Sequence, residues 1–329
     1  MQIDIGLIEA ANERLAPVVR RTPLLGSPFL DEIAGRRLLV KPECLQHTGS
    51  FKFRGGWSAV SALPQEVRAR GVIAYSSGNH AQGVAMAAKM HGVPAVIVMP
   101  ADAPKLKLEN TAALGAEVVL YDRVGGESRE EVGTSIATAR GLTLIRPYDE
   151  PQVIAGQGTC GLEIAEQAKA DGVETADVLV CAGGGGLTSG IALALEARAP
   201  GLRARPVEPE DFDDVKRSLE SGGIEHNDRQ SGSICDAIIT PAPGEITFPI
   251  MQRLCGPGIA VPEELCLRAM AAAFTRLKIV VEPGGAVALA AALYMPETVE
   301  GDAVIAVASG GNVDPEMFAT AIQKYGDGA

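Results

Sequence analysis

The chain has no excess of basic residues, no cysteine pair at metal-ligand spacing, no apolar run long enough to cross a bilayer and no short-period repeat. Each absence removes a class of function. With 29 Lys plus Arg against 41 Asp plus Glu, the 329 residues carry a formal charge of −12. That balance argues against nucleic acid or an anionic membrane surface as a partner. The six cysteines (Cys44, Cys160, Cys181, Cys235, Cys255, Cys266) include no C-x-x-C, so reduced, buried thiols fit better than zinc ligands or a disulfide framework. The longest apolar stretch, GGAVALAAALYM, is too short for a span. The opening MQIDIGLIEA lacks the basic start and continuous apolar segment of a signal peptide. The expectation is an acidic, soluble, cytoplasmic protein whose partner is a small molecule, with no nucleic acid and no membrane.

What is present is a 47% hydrophobic chain with 38 glycines. Short β-rich apolar runs alternate with Ala-rich helical stretches, the pattern of a parallel α/β sheet. From residue 71 to 148 the alternation is most regular. VIAY, AVIVMP, AEVVLY and LTLIRP read as strands, and NHAQGVAMAAKMHG, PKLKLENTAALG and ESREEVGTSIATARG as the helices between them. DVLVCAG, RARPVEP, IVVEPGG and AVIAVASGGN read as four later strands. The pattern predicts a large parallel-sheet domain of residues 1–70 plus 149–329, with a smaller α/β domain, 71–148, inserted. Ligands of open parallel sheets bind outside the carboxyl ends of the strands, and four of those ends are rich in Gly, Ser and Asn.

Three of these segments carry chemistry. CAGGGGLTSG lets successive backbone N–H groups converge at a helix start, where an anion such as phosphate belongs. No G-K-[ST] follows, so the nucleotide P-loop is excluded. A dinucleotide reading stays open, because Gly184-x-Gly186 is followed by Glu208 at the spacing of a ribose-binding acid, although Ser189 stands where Gly or Ala is wanted. YSSGNHAQG offers Ser76, Ser77, Asn79 and His80 as a donor nest suited to a carboxylate, or simply as helix-capping residues. TGSFKFRGG places Lys52 between Phe51 and Phe53. It reads either as a strand with Lys52 turned to water, or as an amine in an apolar pocket, where desolvation favours the nucleophilic neutral form.

A lysine amine, a phosphate cradle, a carboxylate nest and a candidate partner for a ring nitrogen (Ser309 in ASGGN) together suit pyridoxal phosphate chemistry on an amino acid. RRTPLL, VKPECLQHTGSFKFRGG, SSGNHAQGVA, VIAGQGTCGLEI, GGGGLTSG, VEPEDFDD, VVEPGGAVALAA and SGGN occur in order along nearly the whole chain. In these the sequence resembles the fold-type II pyridoxal-phosphate enzymes, specifically the serine/threonine dehydratase and serine racemase family. The resemblance implies a tryptophan synthase β-like α/β fold, pyridoxal 5'-phosphate as cofactor, a small amino-acid substrate and a homodimer.

It also implies roles. Lys52 would carry the cofactor and act as base at Cα, and Ser77 would be the acid/base on the opposite face. Phe51 and Asn79 would flank the cofactor ring. Gly183, Gly184, Gly185, Gly186 and Leu187 would hold its phosphate, and Ser309 would meet the pyridine nitrogen. Ser76, Ser77, Asn79 and His80 would contact the substrate carboxylate. Glu208, Asp214 and the Phe212 carbonyl match a divalent-cation position suited to Mg²⁺ or Ca²⁺, and also read as an acidic helix start. Arg129 stands where dicarboxylate-using members tend to carry an arginine, or is a solvated arginine paired with Glu130 or Glu131. The implied activity is β-elimination of L-threonine or L-serine to a 2-oxo acid and ammonia. Serine racemase and 3-hydroxyaspartate dehydratase are alternatives on the same scaffold, and an NAD-dependent dehydrogenase is the alternative outside it.

Overall fold

The computed structural model describes residues 3–76, 78–103, 105–122, 125–229 and 231–327. Its strands are β1 (Leu25–Gly26), β2 (Arg37–Pro42), β3 (Val72–Tyr75), β4 (Ala95–Pro100), β5 (Glu117–Tyr121), β6 (Thr143–Leu144), β7 (Ala176–Cys181), β8 (Leu202–Pro209), β9 (Ile259–Val261) and β10 (Ala303–Ala308). Contacts divide the chain into two compact units, residues 1–19 with 52–156, and residues 20–51 with 157–329.

The first unit contains a parallel sheet in the order β5-β4-β3-β6. Alternation along each strand feeds two faces. Val72, Ala74, Ile97 and Met99 join Phe53, Trp57 and Val84 in one core, and Ile73, Val96 and Val98 pack with Val132 and Ile136 in the other. Because both faces are covered, these strands read as continuous apolar runs. The helix Ile5–Leu15 belongs here because the Trp57 indole N–H donates to Arg14 O at 2.9 Å.

The second unit contains a sheet in the order β1-β2-β10-β7-β8-β9, with only the β1–β2 pair antiparallel. β7 and β10 are buried along their whole length, as is the helix Pro283–Tyr294 up to Leu293. That helix is apolar on every side, as a core helix must be.

Four expectations change. IVVEPGG is no strand: residues 279–282 run without sheet pairing into the helix, which begins at Pro283 with Glu282 as N-cap. The β-branched run suggested a strand, but proline at the first helical position decides for the helix. LTLIRP pairs only over Thr143–Leu144. The Phe51–Lys52–Phe53 alternation is not a strand either, since Lys52 opens the helix Lys52–Ser61. Finally, the boundaries fall at 19/20, 51/52 and 156/157 rather than at 70/71 and 148/149. The lysine helix groups with the smaller sheet because it crosses the helix Asn79–His91 backbone to backbone. A Cβ at Gly56 would lie 2.9 Å from Gly83 C and O, and one at Gly83 only 2.8 Å from Lys52 C and O.

Candidate active site

In the first unit, the Gly56–Gly83 crossing fixes the start of the lysine helix. Lys52 Nζ donates to Pro147 O at 2.8 Å, just beyond the carboxyl end of β6. Phe51 and Phe53 are both buried, and Lys52 is half-buried. Asn79 and His80 form the first turn of the neighbouring helix. The His80 imidazole is buried, with Nε2 2.9 Å from Ile145 O and Nδ1 lacking a hydrogen-bond partner. Facing a carbonyl, Nε2 must carry the proton, which leaves Nδ1 as a lone pair. Burial, followed by the charge of Lys52, pushes the imidazole pKa down to about 3, so the ring is neutral. His80 therefore presents an acceptor and not the N–H that a carboxylate would want.

Ser76 Oγ accepts from Gly78 N–H at 3.2 Å. Ser77 lies outside the described residues. Arg129 opens the helix Arg129–Arg140. Its Nε donates to Glu130 Oε1 at 2.7 Å, and its guanidinium lies 5.6 Å over the Tyr75 ring.

In the second unit, the glycine run leaves β7 and enters the helix Gly186–Arg198 with Gly185 as N-cap at φ +86°. A Cβ at Gly183 would meet Ile238 O at 2.7 Å, and one at Gly185 would meet Met251 Cε at 2.5 Å. Glycine is required at both. Gly184 O accepts from Thr247 Oγ1 at 2.6 Å and from Gly244 N–H at 3.2 Å. In a trans peptide this turns the Gly185 N–H the opposite way. Ser189 N–H donates to Gly185 O as the first helical bond, so the amides of Gly186, Leu187 and Thr188 have no intrahelical acceptor. The run is built to receive an anion.

Ser309 follows β10, and its carbonyl accepts from Phe51 N–H at 3.1 Å. Ser50 bridges to Gly310, and its hydroxyl is buried with no hydrogen-bond partner. The segment leading into Lys52 is thus stitched to the end of β10.

The expected cation position is partly occupied by the fold itself. Glu208 Oε1 and Oε2 accept from the Val215 and Lys216 amides at 2.9 and 2.8 Å, capping the helix Asp214–Ser221. Asp214 Oδ1 takes Asn227 Nδ2, while Oδ2 is buried without a hydrogen-bond partner. Phe212 is buried under Arg229, whose guanidinium is 5.2 Å from the ring centre. Burial, then repulsion by Asp214, raises the Glu208 pKa, and burial raises that of Asp214 to about 7. Among the described residues no group of three His, Cys, Asp or Glu could hold a metal ion. Because its oxygens cap a helix, Glu208 is also a poor ribose ligand, which removes a support of the dinucleotide reading.

Sequence reasoning passed over Lys41. It is more deeply buried than Lys52, but its three N–H donors go to Thr22 O, Glu163 Oε2 and Gln167 Oε1 at 2.7, 2.6 and 2.9 Å. Lys41 is a structural cation. No local signal in VKPE separates it from a reactive lysine.

The family model described as pyridoxal-phosphate dependent enzyme matches residues 15–310. An L-threo-3-hydroxyaspartate ammonia-lyase of Saccharomyces cerevisiae is 43% identical over 319 residues, covering 97% of this chain and 96% of that protein. A serine racemase of Schizosaccharomyces pombe is 40% identical, covering 95% of each chain. Among solved structures, a maize serine racemase is similar with a TM-score of 0.90 and 37% identity, covering 98% of each chain. A threonine deaminase crystal structure is similar with a TM-score of 0.88 and 46% identity, covering 94% of this chain and 99% of that one.

Proposed function

The chain belongs to the pyridoxal-phosphate dependent enzymes and is a lyase, and from that premise we propose that it is an ammonia-lyase for 3-hydroxy amino acids. The four-carbon dicarboxylic 3-hydroxyaspartate stands first, and L-serine and L-threonine second. The observation that carries the reading is the pinned Lys52 amine at the start of a helix that cannot shift past Gly83. The yeast relative and the Arg129 guanidinium support the order of substrates.

The residues present fit the cofactor. The glycine run offers unpaired first-turn amides in a space that side chains would fill. Ser50 Oγ and His80 Nδ1 are buried polar atoms lacking partners in the protein. Gly183, Gly184, Gly185, Gly186 and Leu187 would hold the phosphate, Phe51 and Asn79 would flank the ring, and Ser309 would face its nitrogen. Pyridoxal phosphate, when bound, supplies the electron sink that stabilises charge left at Cα.

Lys52 takes the α-proton, and Ser76 with Asn79 orients the carboxylate. The β-hydroxyl leaves as water, and hydrolysis of the product yields a 2-oxo acid and ammonia. A serine hydroxyl is a poor base, so Ser309 would leave the nitrogen of a bound ring largely unprotonated, which would favour prompt loss of the β-hydroxyl. Ser77, if it has the acid/base role that the resemblance implies, would add racemisation. A divalent cation at Glu208 and Asp214 belongs to the same proposal and is supported by the unpartnered Asp214 Oδ2. So do the cytoplasmic placement and the homodimer, the latter readable by sedimentation.

Release of 2-oxo acid from L-threo-3-hydroxyaspartate, L-serine, D-serine and L-threonine tests the activity. Elimination should be fastest with the dicarboxylate and should fall selectively for it in Arg129→Ala, by on the order of 2–5 kcal/mol in transition-state binding. Turnover of serine alone would remove the substrate assignment, and racemisation without elimination would remove the lyase reading.

A further inference from the structure

The strands β3 and β6 run in parallel register, Val72 beside Thr143 and Ile73 beside Leu144, and Ile145 N–H continues the ladder to Ile73 O at 2.9 Å. Extending that register brings Tyr75 beside Arg146 at the carboxyl ends of both strands. Burial and the charge of Glu130 raise the pKa of the Tyr75 phenol, and Arg146 and Arg129 are near enough to act against that rise. Arg129 lies over the same ring at 5.6 Å. One phenol side chain thus stands between two arginines, Arg129 over its face and Arg146 beside it on the neighbouring strand end.

The nearby acids leave both cations available. Arg129 spends Nε on Glu130, so its terminal nitrogens keep their donors. Glu150 Oε2 accepts from the Arg146 backbone N–H at 2.9 Å, which serves the main chain. Two like charges gathered on one residue repel, and an anion between them would turn that repulsion into attraction.

Both arginines sit beside the candidate site. The residue after Arg146 is Pro147, whose carbonyl receives Lys52 Nζ. The residue after Tyr75 is Ser76, which opens the loop of the proposed carboxylate nest. We propose that Arg146 and Arg129, aligned by Tyr75, form a subsite for the second carboxylate of a four-carbon dicarboxylic substrate, and that Arg146 is a specificity-determining residue. This rests on the ammonia-lyase reading. Paired guanidinium forks grip a carboxylate through parallel, charge-assisted hydrogen bonds that a lysine cannot copy.

The test uses the full-length, cofactor-loaded protein with Arg146→Gln, Arg146→Lys and Tyr75→Phe. Two ratios are read: kcat/KM for L-threo-3-hydroxyaspartate over L-serine, and calorimetric affinity for succinate over butyrate. Arg146→Gln should lower each ratio about tenfold or more, the loss of one charge-assisted contact. Arg146→Lys should recover part of it, and Tyr75→Phe, which keeps the ring and loses the acceptor, should lose less than Arg146→Gln. Arg146 is exposed, so melting temperatures should stay close to wild type. Ratios that do not move in Arg146→Gln, or that move equally in Arg146→Lys, overturn the subsite. If the wild type eliminates water from none of the substrates, the lyase reading falls on its own and the succinate-to-butyrate ratio still decides the subsite.

Discussion

Two side chains in the first turns of neighbouring helices, Lys52 and His80, share one small region of backbone carbonyls and behave oppositely. Lys52 donates to Pro147 O, and its truncation to alanine should reduce 2-oxo acid release by on the order of 10²–10⁴-fold, the range for a positioned acid–base group. The same variant should lose the visible absorption that borohydride fixes onto one lysine. A variant with near-normal turnover and no added amine would disprove the assignment. His80 makes a different prediction. Its folded pKa of about 3 lies below the ordinary 6.5, so the unfolded chain takes up a proton that the folded one refuses. Stability is therefore lost as pH falls from the ordinary value towards the folded one. From pH 7 to pH 5 the cost is about 2 kcal/mol. His80→Gln, which can still donate to Ile145 O, should flatten that acid slope in denaturant titrations at the two pH values.

At the scale of elements, the helix crossing at Gly56 and Gly83 locates the amine. Gly83→Ala forces a methyl into Lys52 C and O at 2.8 Å. Overpacking of this kind costs about 1–3 kcal/mol, and here the helix carrying Lys52 must give way. Lower melting temperature together with weaker cofactor retention is expected. A loss of stability alone would separate the crossing from the chemistry. The helix Asp214–Ser221 poses the complementary question. Glu208 already caps it, so the buried Asp214 Oδ2 is the atom that a cation would satisfy. Chelation should lower the melting temperature, and Mg²⁺ or Ca²⁺ should restore it in proportion to the logarithm of its concentration. Asp214→Ala should abolish that response, and an equal response in the variant would leave only the helix cap.

Over the whole molecule, local chemistry was legible and partnership was not. The glycine run after β7 declared itself because successive glycines between a strand and a helix mark an anion cradle, even though the packing that requires them, at Ile238 and Met251, lies far along the chain. IVVEPGG misled because β-branched residues suit a strand until Pro283 is weighed as a helix start. Lys41 and Lys52 look alike in sequence, and only Glu163 and Gln167, far along the chain, mark the first as structural. The boundary between Phe51 and Lys52 was invisible for the same reason, since it depends on two glycines meeting across separate helices.

The sheet order β1-β2-β10-β7-β8-β9 has a consequence for the order of synthesis. β10 is hydrogen-bonded to β2 over six registers, from Ala303 beside Arg37 to Ala308 beside Pro42. It is the last of the described strands in chain order and stands between the second and the seventh. Until it arrives, β2 and β7 each expose an unpaired edge, the state most prone to wrong pairing. β3, β4, β5 and β6 follow one another along the chain, so their sheet can close long before. Nascent chains arrested before residue 303 should therefore protect 52–156 from protease while 20–51 and 157–302 are digested. The part of the protein that would grip the phosphate is the part that must wait for β10.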